Sequence, residues 1–500
     1  MGTKKLGILF LFSVILAFAA GYFSSNLVEN KMVIESDEIF EYITKAFDEY
    51  YYYDIESDEV YDAFIASMYA AVDSYALSNN DPYTRITAIS TNISESSAES
   101  FVGMGVTFSF EDMNLRITDV YMDSDLFGKI YPNDLIIGYI ENDETTYFND
   151  LDDHSDVINY FSGEVDDEKQ ILVKNPSSDD AYEVTFKLVE IHTSTAYSMD
   201  LDETSVSYIK IDEFSGYEEN VSPGTNVVFN DALIALENDG LLNEDQTLII
   251  DLRDNPGGDL TALNNQGTKL NPGITQLLLP KDLTAPVFSL IDKNESQTFY
   301  YGGLALEKPY DIKVLVNENS ASASEVLAAA LSNYGYEVYG MPTYGKDVFQ
   351  NSIYLNDIQN VRYYLTYTEG QWLYGDNLNV KDNPIPVIEI EQSGILSIDM
   401  PIYTHNLSYD MVSDDLTSYQ AFLNEYFMLD EGSLLRTDGY YDMDTKNYVM
   451  QYQNEHGLEQ TGEIDLITSQ SIFLTYKEMT HDFTYDKQLM TLIEMIDEDA

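Results

Sequence analysis

Five hundred residues, at roughly 100 to 200 per domain, predict two to four domains with ample chain for a hydrophobic core, which excludes a peptide hormone or a single small module. With 44% hydrophobic and 22% charged residues the chain is of globular composition, and its lack of cysteine excludes thiol catalysis, disulfides and Cys-ligated metal centres. Against 24 Lys plus Arg stand 88 Asp plus Glu, a formal net charge of −64 that repels phosphate backbones and anionic headgroups and argues against nucleic acid as a partner.

Lys4 and Lys5 precede an uncharged run from Leu6 to Val28. Two positive residues before an apolar stretch of spanning length predict a signal anchor over 1–28, with the rest of the chain outside the cytoplasm. Ala17 and Ala19 form an A-x-A pattern, so a cleaved signal peptide and a secreted protein stay open as the second reading.

From Asp37 to Ser90 the apolar positions recur at helical spacing in EIFEYITKAFDEYYY and DEVYDAFIASMYAAVDSYA, predicting two helices before a turn at NNDPYT. From Phe101 to about His192 alternating, β-branched stretches (GMGVTFSF, LRITDVYM, LIIGYI, QILVKN, YEVTFKLVEI) predict a small β-rich module. SVSYIKI, NVVFNDALIALEN and TLIIDLRDNPGG then read as strand, helix, strand and glycine turn, and DIKVLVNENSASASEVLAAALSNYG repeats the pattern, which is an α/β core. Past Pro384 and Pro386 the regularity weakens into a linker, and a separate helical segment begins near Asp414.

The run SASASE, Ser320 to Glu325, sits between an apolar strand and a helix. Such a turn exposes a hydroxyl beside unpaired helix N–H groups, as an acyl-transfer nucleophile needs, although serines before helices also serve simply as N-caps. All five histidines lie outside the α/β core, so a Ser-His triad is not expected; a lysine of lowered pKa can replace the base, and Lys346 lies in a glycine-containing loop of the same core. Taken alone, a lysine such as Lys346 is more often a solvated charge, and the NPGG run at Asn255 to Gly258 a tight turn.

Together IDLRDNPGG, VLVNENSASASEVLAAAL and PTYGKDVFQ resemble the C-terminal processing peptidases, serine endopeptidases with a Ser-Lys dyad. Arg253, Asn255, Gly257 and Gly258 match the family's R-x-N-x-G-G strand end. The resemblance implies Ser322 as nucleophile, Lys346 as general base and Gln350 as the group that holds the lysine; the oxyanion is expected to be held by backbone N–H groups at the NPGG turn, Gly257 or Gly258, and at Ala323 after the nucleophile. It further implies a crotonase-like α/β peptidase core (196–390) with N-terminal helices (29–98), an inserted PDZ-like domain that binds substrate tails (99–195), a linker (391–413) and a small helical domain (414–500). That last domain resembles peptidoglycan-binding modules through D-G-Y-x-D-x-x-T and Q-x-x-x-G-L-x-x-T-G-x-I-D, from Asp438 to Asp465.

The chain departs from the family pattern in three places. Ser322 and Lys346 stand one residue closer than is usual, Asn333 replaces an acidic residue, and Pro132-Asn133-Asp134 replaces Pro-Gly-Asp in the PDZ-like segment. The expected function is extracytoplasmic cleavage near the C-terminus of proteins with unstructured tails, captured by strand addition to the PDZ-like sheet, with no cofactor or metal. Peptidoglycan is a second expected partner, and self-association stays open. The alternative is a non-catalytic cell-wall or protein-tail binding scaffold.

Overall fold

A computed structural model of the chain describes residues 57–90, 100–151, 153–178, 180–192, 194–199, 201, 206–217, 222–265, 271–358 and 361–499. It divides at Thr87 into two compact units. In the first, helix α1 (Ser57–Ser78) realises the second predicted helix; the first predicted helix and the apolar N-terminal run lie outside the described residues. Asp81 closes the NNDPYT turn, its carboxylate accepting from the Tyr83 and Thr84 amides at 3.0 and 3.2 Å and from the Thr84 hydroxyl at 2.6 Å. Strand β1 (Arg85–Ser90) follows.

The second unit opens with the β-rich module: β2 (Ser100–Gly103), β3 (Val106–Glu111), β4 (Asn114–Val120), β5 (Leu135–Glu141), β6 (Glu144–Tyr147), helix α2 (His154–Tyr160), β7 (Glu168–Lys174), β8 (Ala181–Lys187) and β9 (Val189–His192). The antiparallel order is β3-β4-β5-β7-β8, with β6 on β5 and β2 paired to β9. Alternation made these strands legible: in β4, Leu115, Ile117 and Val120 are buried while Thr118 is exposed. Helix α2 was not anticipated. It buries one side chain, Val157, and is held at its start by Asp153, which accepts from the Ser155 amide at 2.7 Å.

The α/β core comprises β10 (Ala196–Met199), β11 (Val206–Ile211), α3 (Thr225–Asn238), β12 (Thr247–Asp251), α4 (Leu260–Leu263), α5 (Ile274–Leu278), β13 (Phe288–Asp292), β14 (Gln297–Tyr300), β15 (Asp311–Val316), α6 (Ala323–Asn333), β16 (Glu337–Gly340), β17 (Val348–Ile358), β18 (Val361–Leu373) and β19 (Ile388–Glu389). Its main sheet runs β10-β11-β12-β15-β16-β19, parallel throughout except for β10. All five residues of β12 are buried, as a central parallel strand covered on both faces requires. Leu248 and Ile250 pack with α3 and α6, while Ile249 faces the other way.

The helices that follow are α7 (Leu416–Tyr426), α8 (Met443–Glu455), α9 (Leu466–His481) and α10 (Lys487–Asp499). Asp442 and Asp465 cap α8 and α9, accepting from the Thr445 and Thr468 amides at 2.9 and 2.8 Å. Two expectations need correction here. Residues 391–413 are not a loose linker: Ile395 and Leu407 are buried in the helical domain's core, and the Leu407 amide bonds to the Ile464 carbonyl at 3.0 Å. Nor is the helical domain separate. Phe473 of α9 is buried in the core of the β-rich module, and Lys477 pairs with Asp119 of β4 at 2.9 Å. Helix α10 lays Leu489, Leu492, Ile493 and Ile496 against Tyr208, Ile249, Leu315 and Tyr339, so it is the cover of the sheet's second face.

Candidate active site

Ser322 stands immediately before α6 with φ 57° and ψ −116°. An N-cap residue is normally extended, so this left-handed φ on a non-glycine residue is a strained turn rather than ordinary cap geometry, the kind of strain that collects at functional sites. The turn is fixed from below by Asn255. Its carbonyl accepts from the Ala321 amide at 3.0 Å and from the Ser324 hydroxyl at 2.9 Å, and its side-chain nitrogen donates to the Ile211 carbonyl at 2.8 Å. Asn255 and Ser324 are fully buried, so these bonds are shielded from competing water.

Lys346 arrives from the loop after β16. The Tyr344 amide bonds to the Ser320 carbonyl at 3.1 Å, which seats this loop on the serine turn. The Lys346 carbonyl accepts from the indole of buried Trp372 at 2.7 Å. Its amide donates to Glu325 at 2.9 Å, and the Ser322 amide donates to the same carboxylate oxygen, Oε2, at 2.9 Å. The other oxygen accepts from the Thr343 hydroxyl at 2.8 Å and the Gly345 amide at 2.6 Å. One fully buried carboxylate therefore ties the main chains of the predicted nucleophile and base together. Burial pushes the Glu325 carboxyl above its usual range, against the pull of its four donors.

Glu325 is the site residue that sequence reasoning left without a role. The signal was present, since S-x-x-E opening a helix is a capping box, but that pattern accounts only for the bond back to Ser322 and not for the three to the lysine loop.

The oxyanion candidates divide. Gly257 (φ 105°) packs so closely that a Cβ there would come within 2.7 Å of the Ser322 Cβ and 2.9 Å of the Ala323 nitrogen. Its own amide, however, donates to the Asn255 side-chain oxygen at 2.8 Å and is already committed, which corrects the expectation for that residue. The Gly258 and Ala323 amides have no hydrogen-bond partner among the described residues. At Gly258 (φ 134°) a Cβ would collide with the Phe214 carbonyl, whose residue bridges this turn: the Phe214 amide bonds to the Gly257 carbonyl at 2.9 Å and its carbonyl accepts from Asp259 at 2.6 Å.

Gln350 lies on β17 opposite Thr368, next to a register shift in the ladder. Its side-chain nitrogen is buried with no partner among the described residues, so the expected hold on Lys346 is not made through that atom. Arg253 points away from the serine turn into a buried ion cluster with Asp251, which it meets at 2.6 Å. That guanidinium and Lys210 hold the Asp251 carboxyl far below the usual carboxylate range despite its full burial.

Two larger cavities, of about 540 and 480 Å³, lie where the helical domain meets the rest of the unit; neither is lined by Ser322 or Lys346.

Residues 205–379 match peptidase family S41, and residues 412–472 match the putative peptidoglycan binding domain. The carboxy-terminal processing protease CtpB of Bacillus subtilis is 27% identical over 426 residues, 83% of this chain and 81% of that protein. A probable CtpA-like serine protease of Staphylococcus aureus is 27% identical over 433 residues, 85% of this chain and 79% of its own length. Among solved structures, a photosystem II D1 C-terminal processing protease aligns with 71% of this chain and 94% of its own at 16% identity and a TM-score of 0.36. The mixed α/β fold, with its β-rich insertion and C-terminal helices, agrees with the architecture expected from sequence.

Proposed function

We propose, from the match of residues 205–379 to peptidase family S41, that the chain is a serine endopeptidase working through a Ser322-Lys346 dyad near the C-termini of protein substrates. The observation that carries the reading is the shared Glu325 oxygen, which sets the amides of Ser322 and Lys346 within two hydrogen-bond lengths of each other. A serine that merely capped a helix would have no need of a lysine loop bound to the same carboxylate.

In the proposed reaction the Ser322 hydroxyl oxygen attacks the scissile carbonyl while neutral Lys346 takes its proton. The amides of Gly258 and Ala323 hold the tetrahedral oxyanion. The C–N bond breaks, the amine leaves with the proton from Lys346, and a water deprotonated by the same lysine hydrolyses the acyl-enzyme. Substrate tails add to β3, one of the two terminal strands of the β-rich sheet, by main-chain pairing. The apolar run over 1–28 is the basis for placing the reaction outside the cytoplasm, either anchored or secreted, and residues 412–472 for an association with peptidoglycan.

The test is cleavage of casein by the full-length chain beside Ser322→Ala and Lys346→Ala, with products read by mass spectrometry. The parent is expected to release fragments and both variants to release none. Parental cleavage by Lys346→Ala would remove the lysine from the mechanism, and parental cleavage by Ser322→Ala would remove the site altogether.

A further inference from the structure

Arg253 has five N–H donors and all of them are used. Nε donates to both oxygens of Asp251 at 3.0 Å, and one Nη2 hydrogen to Asp251 at 2.6 Å. The remaining three go to a segment more than two hundred residues away: Nη2 and Nη1 reach the two oxygens of Asp486 at 2.6 and 3.0 Å, and Nη1 reaches Gln488 at 3.1 Å. Arg253 is 5% exposed, Asp486 7% and Gln488 fully buried, so this is an enclosed arrangement rather than a surface ion pair. Gln488 is itself fixed by donating to the Ile390 carbonyl at 2.6 Å.

Asp486 lies beyond the stretch matched as a peptidoglycan binding domain, immediately before α10. Two residues after Arg253 the chain reaches Asn255, which holds Gly257 with its side-chain oxygen and Ala321 and Ser324 with its carbonyl. Between them, Asp254 accepts from the side chains of Asn317 and Asn319 at 2.9 and 2.8 Å, locking the strand end to the loop that leads to Ser322. The route from Asp486 to the serine turn therefore runs through the buried contacts of Arg253, two residues of main chain and the buried contacts of Asn255, with Asp254 bracing it from the more exposed side.

We propose that Asp486 is a positioning residue of the peptidase site: by holding Arg253 it fixes the end of β12, and through Asn255 the turn that presents Ser322. The proposal rests on Ser322 being the nucleophile. It makes the chain's last helix a working part of the peptidase, not only an attachment to a wall-binding module.

Asp486→Asn is a discriminating variant. Its Oδ1 also accepts from the Leu489 amide at 3.0 Å, a capping bond that asparagine keeps, while the amide nitrogen placed at Oδ2 would face a guanidinium donor. Leu492→Ala, on the same helix and fully buried but away from Arg253, reports the effect of loosening α10 alone. The full-length parent, Asp486→Asn, Asp486→Glu, Leu492→Ala and Ser322→Ala are compared for kcat and KM on fluorescent casein and for thermal midpoint.

Asp486→Asn is expected to lower kcat at least tenfold with KM within about twofold, with partial rescue in Asp486→Glu, while Leu492→Ala loses thermal stability but keeps parental kcat per folded molecule. If the loss in Asp486→Asn merely follows its folded fraction, or Leu492→Ala loses as much kcat, Asp486 is structural only and the proposal falls. If Ser322→Ala cuts like the parent, the nucleophile assignment fails and takes the proposal with it.

Discussion

Replacing Glu325 by glutamine changes one atom in the candidate site. The carboxylate gives Oε2 to the Ser322 and Lys346 amides and Oε1 to the Thr343 hydroxyl and the Gly345 amide. Whichever way the glutamine amide turns, its NH₂ confronts one of these pairs. With NH₂ at the Oε2 position two buried amides lose their acceptor; with NH₂ at Oε1, Gly345 loses its own and only the Thr343 hydroxyl can rotate to accept. Hydrogen bonds to a charged group contribute about 1.5–3 kcal/mol each, so the milder orientation, which loses one, costs about 1.5–3 kcal/mol and the other about 3–6 kcal/mol. The neutral amide recovers part of this, because burial disfavours the charge, as the raised Glu325 pKa indicates. A net destabilisation of about 1–3 kcal/mol is expected, concentrated where the lysine loop meets the serine turn. The assays are thermal unfolding of the full-length chain and casein cleavage per folded molecule. Glu325→Gln should lower the midpoint and cut kcat at least a hundredfold, and Thr343→Val, which removes one donor and leaves both amides bound, should do markedly less. Parental midpoint and parental turnover in Glu325→Gln would refute the claim that this carboxylate couples the two residues.

Gly257→Ala places a methyl group within 2.7 Å of the Ser322 Cβ and 2.8 Å of the Ala321 carbonyl, at a φ of 105° that alanine disfavours; casein cleavage should be lost, and unchanged turnover would mean the turn has room to move. Asp134, buried in the β-rich module, has its carboxyl pushed up to about 6 by desolvation against hydrogen bonds from Tyr131 and Tyr182. Its folded pKa exceeds the unfolded value near 3.9, so its contribution to stability is full below about pH 4 and is lost as pH rises through 6, by up to about 3 kcal/mol. Urea midpoints of parent and Asp134→Asn should therefore differ in slope between pH 4 and 7, and parallel profiles would contradict the assigned shift. Phe473→Ala removes a ring packed 6.1 and 5.9 Å from those of Phe127 and Tyr131 at a cost of about 3–5 kcal/mol. Hydrogen exchange should then quicken in β4 and β5, whereas unchanged protection would show that α9 does not stabilise the β-rich module.

What was legible in the sequence was whatever local pattern determines. The alternation of LRITDV gave β4, the apolar run TLIID gave the buried β12, and the small residues after IKVLV gave a turn into α6. That Ser322, Lys346 and Gly257 lie near one another was legible because the three short blocks that carry them resemble one family's motifs in their order. Partnerships across long separations were not. Nothing in the neighbourhood of Gln350 signals that its side-chain nitrogen is buried without a partner among the described residues, and nothing near Arg253 signals that three of its five donors are taken up by residues 486 and 488. The same limit applied to residues 391–413, whose irregular backbone resembles a linker until Ile395 and Leu407 are seen in a core assembled from α7, α8 and α9.

The position of α10 follows from the sheet. A strand buried on every residue, as β12 is, requires cover on both faces, and α3 and α6 supply only one. Without α10 the other face would present Tyr208, Ile249, Leu315 and Tyr339 together, an apolar patch that a soluble chain does not leave open. Losing α10 together with Asp486 before it would also leave three of the five buried Arg253 donors without their acceptors, a desolvation cost that the remaining pair with Asp251 does not offset. The apolar spacing Leu489, Leu492, Ile493, Ile496 belongs to an amphipathic helix whose surroundings are otherwise a strongly acidic chain, so this sheet face is the surface it fits. The sheet's packing thus extends past residue 390 to include α10, and the stretch matched as a putative peptidoglycan binding domain lies between the core's strands and that helix.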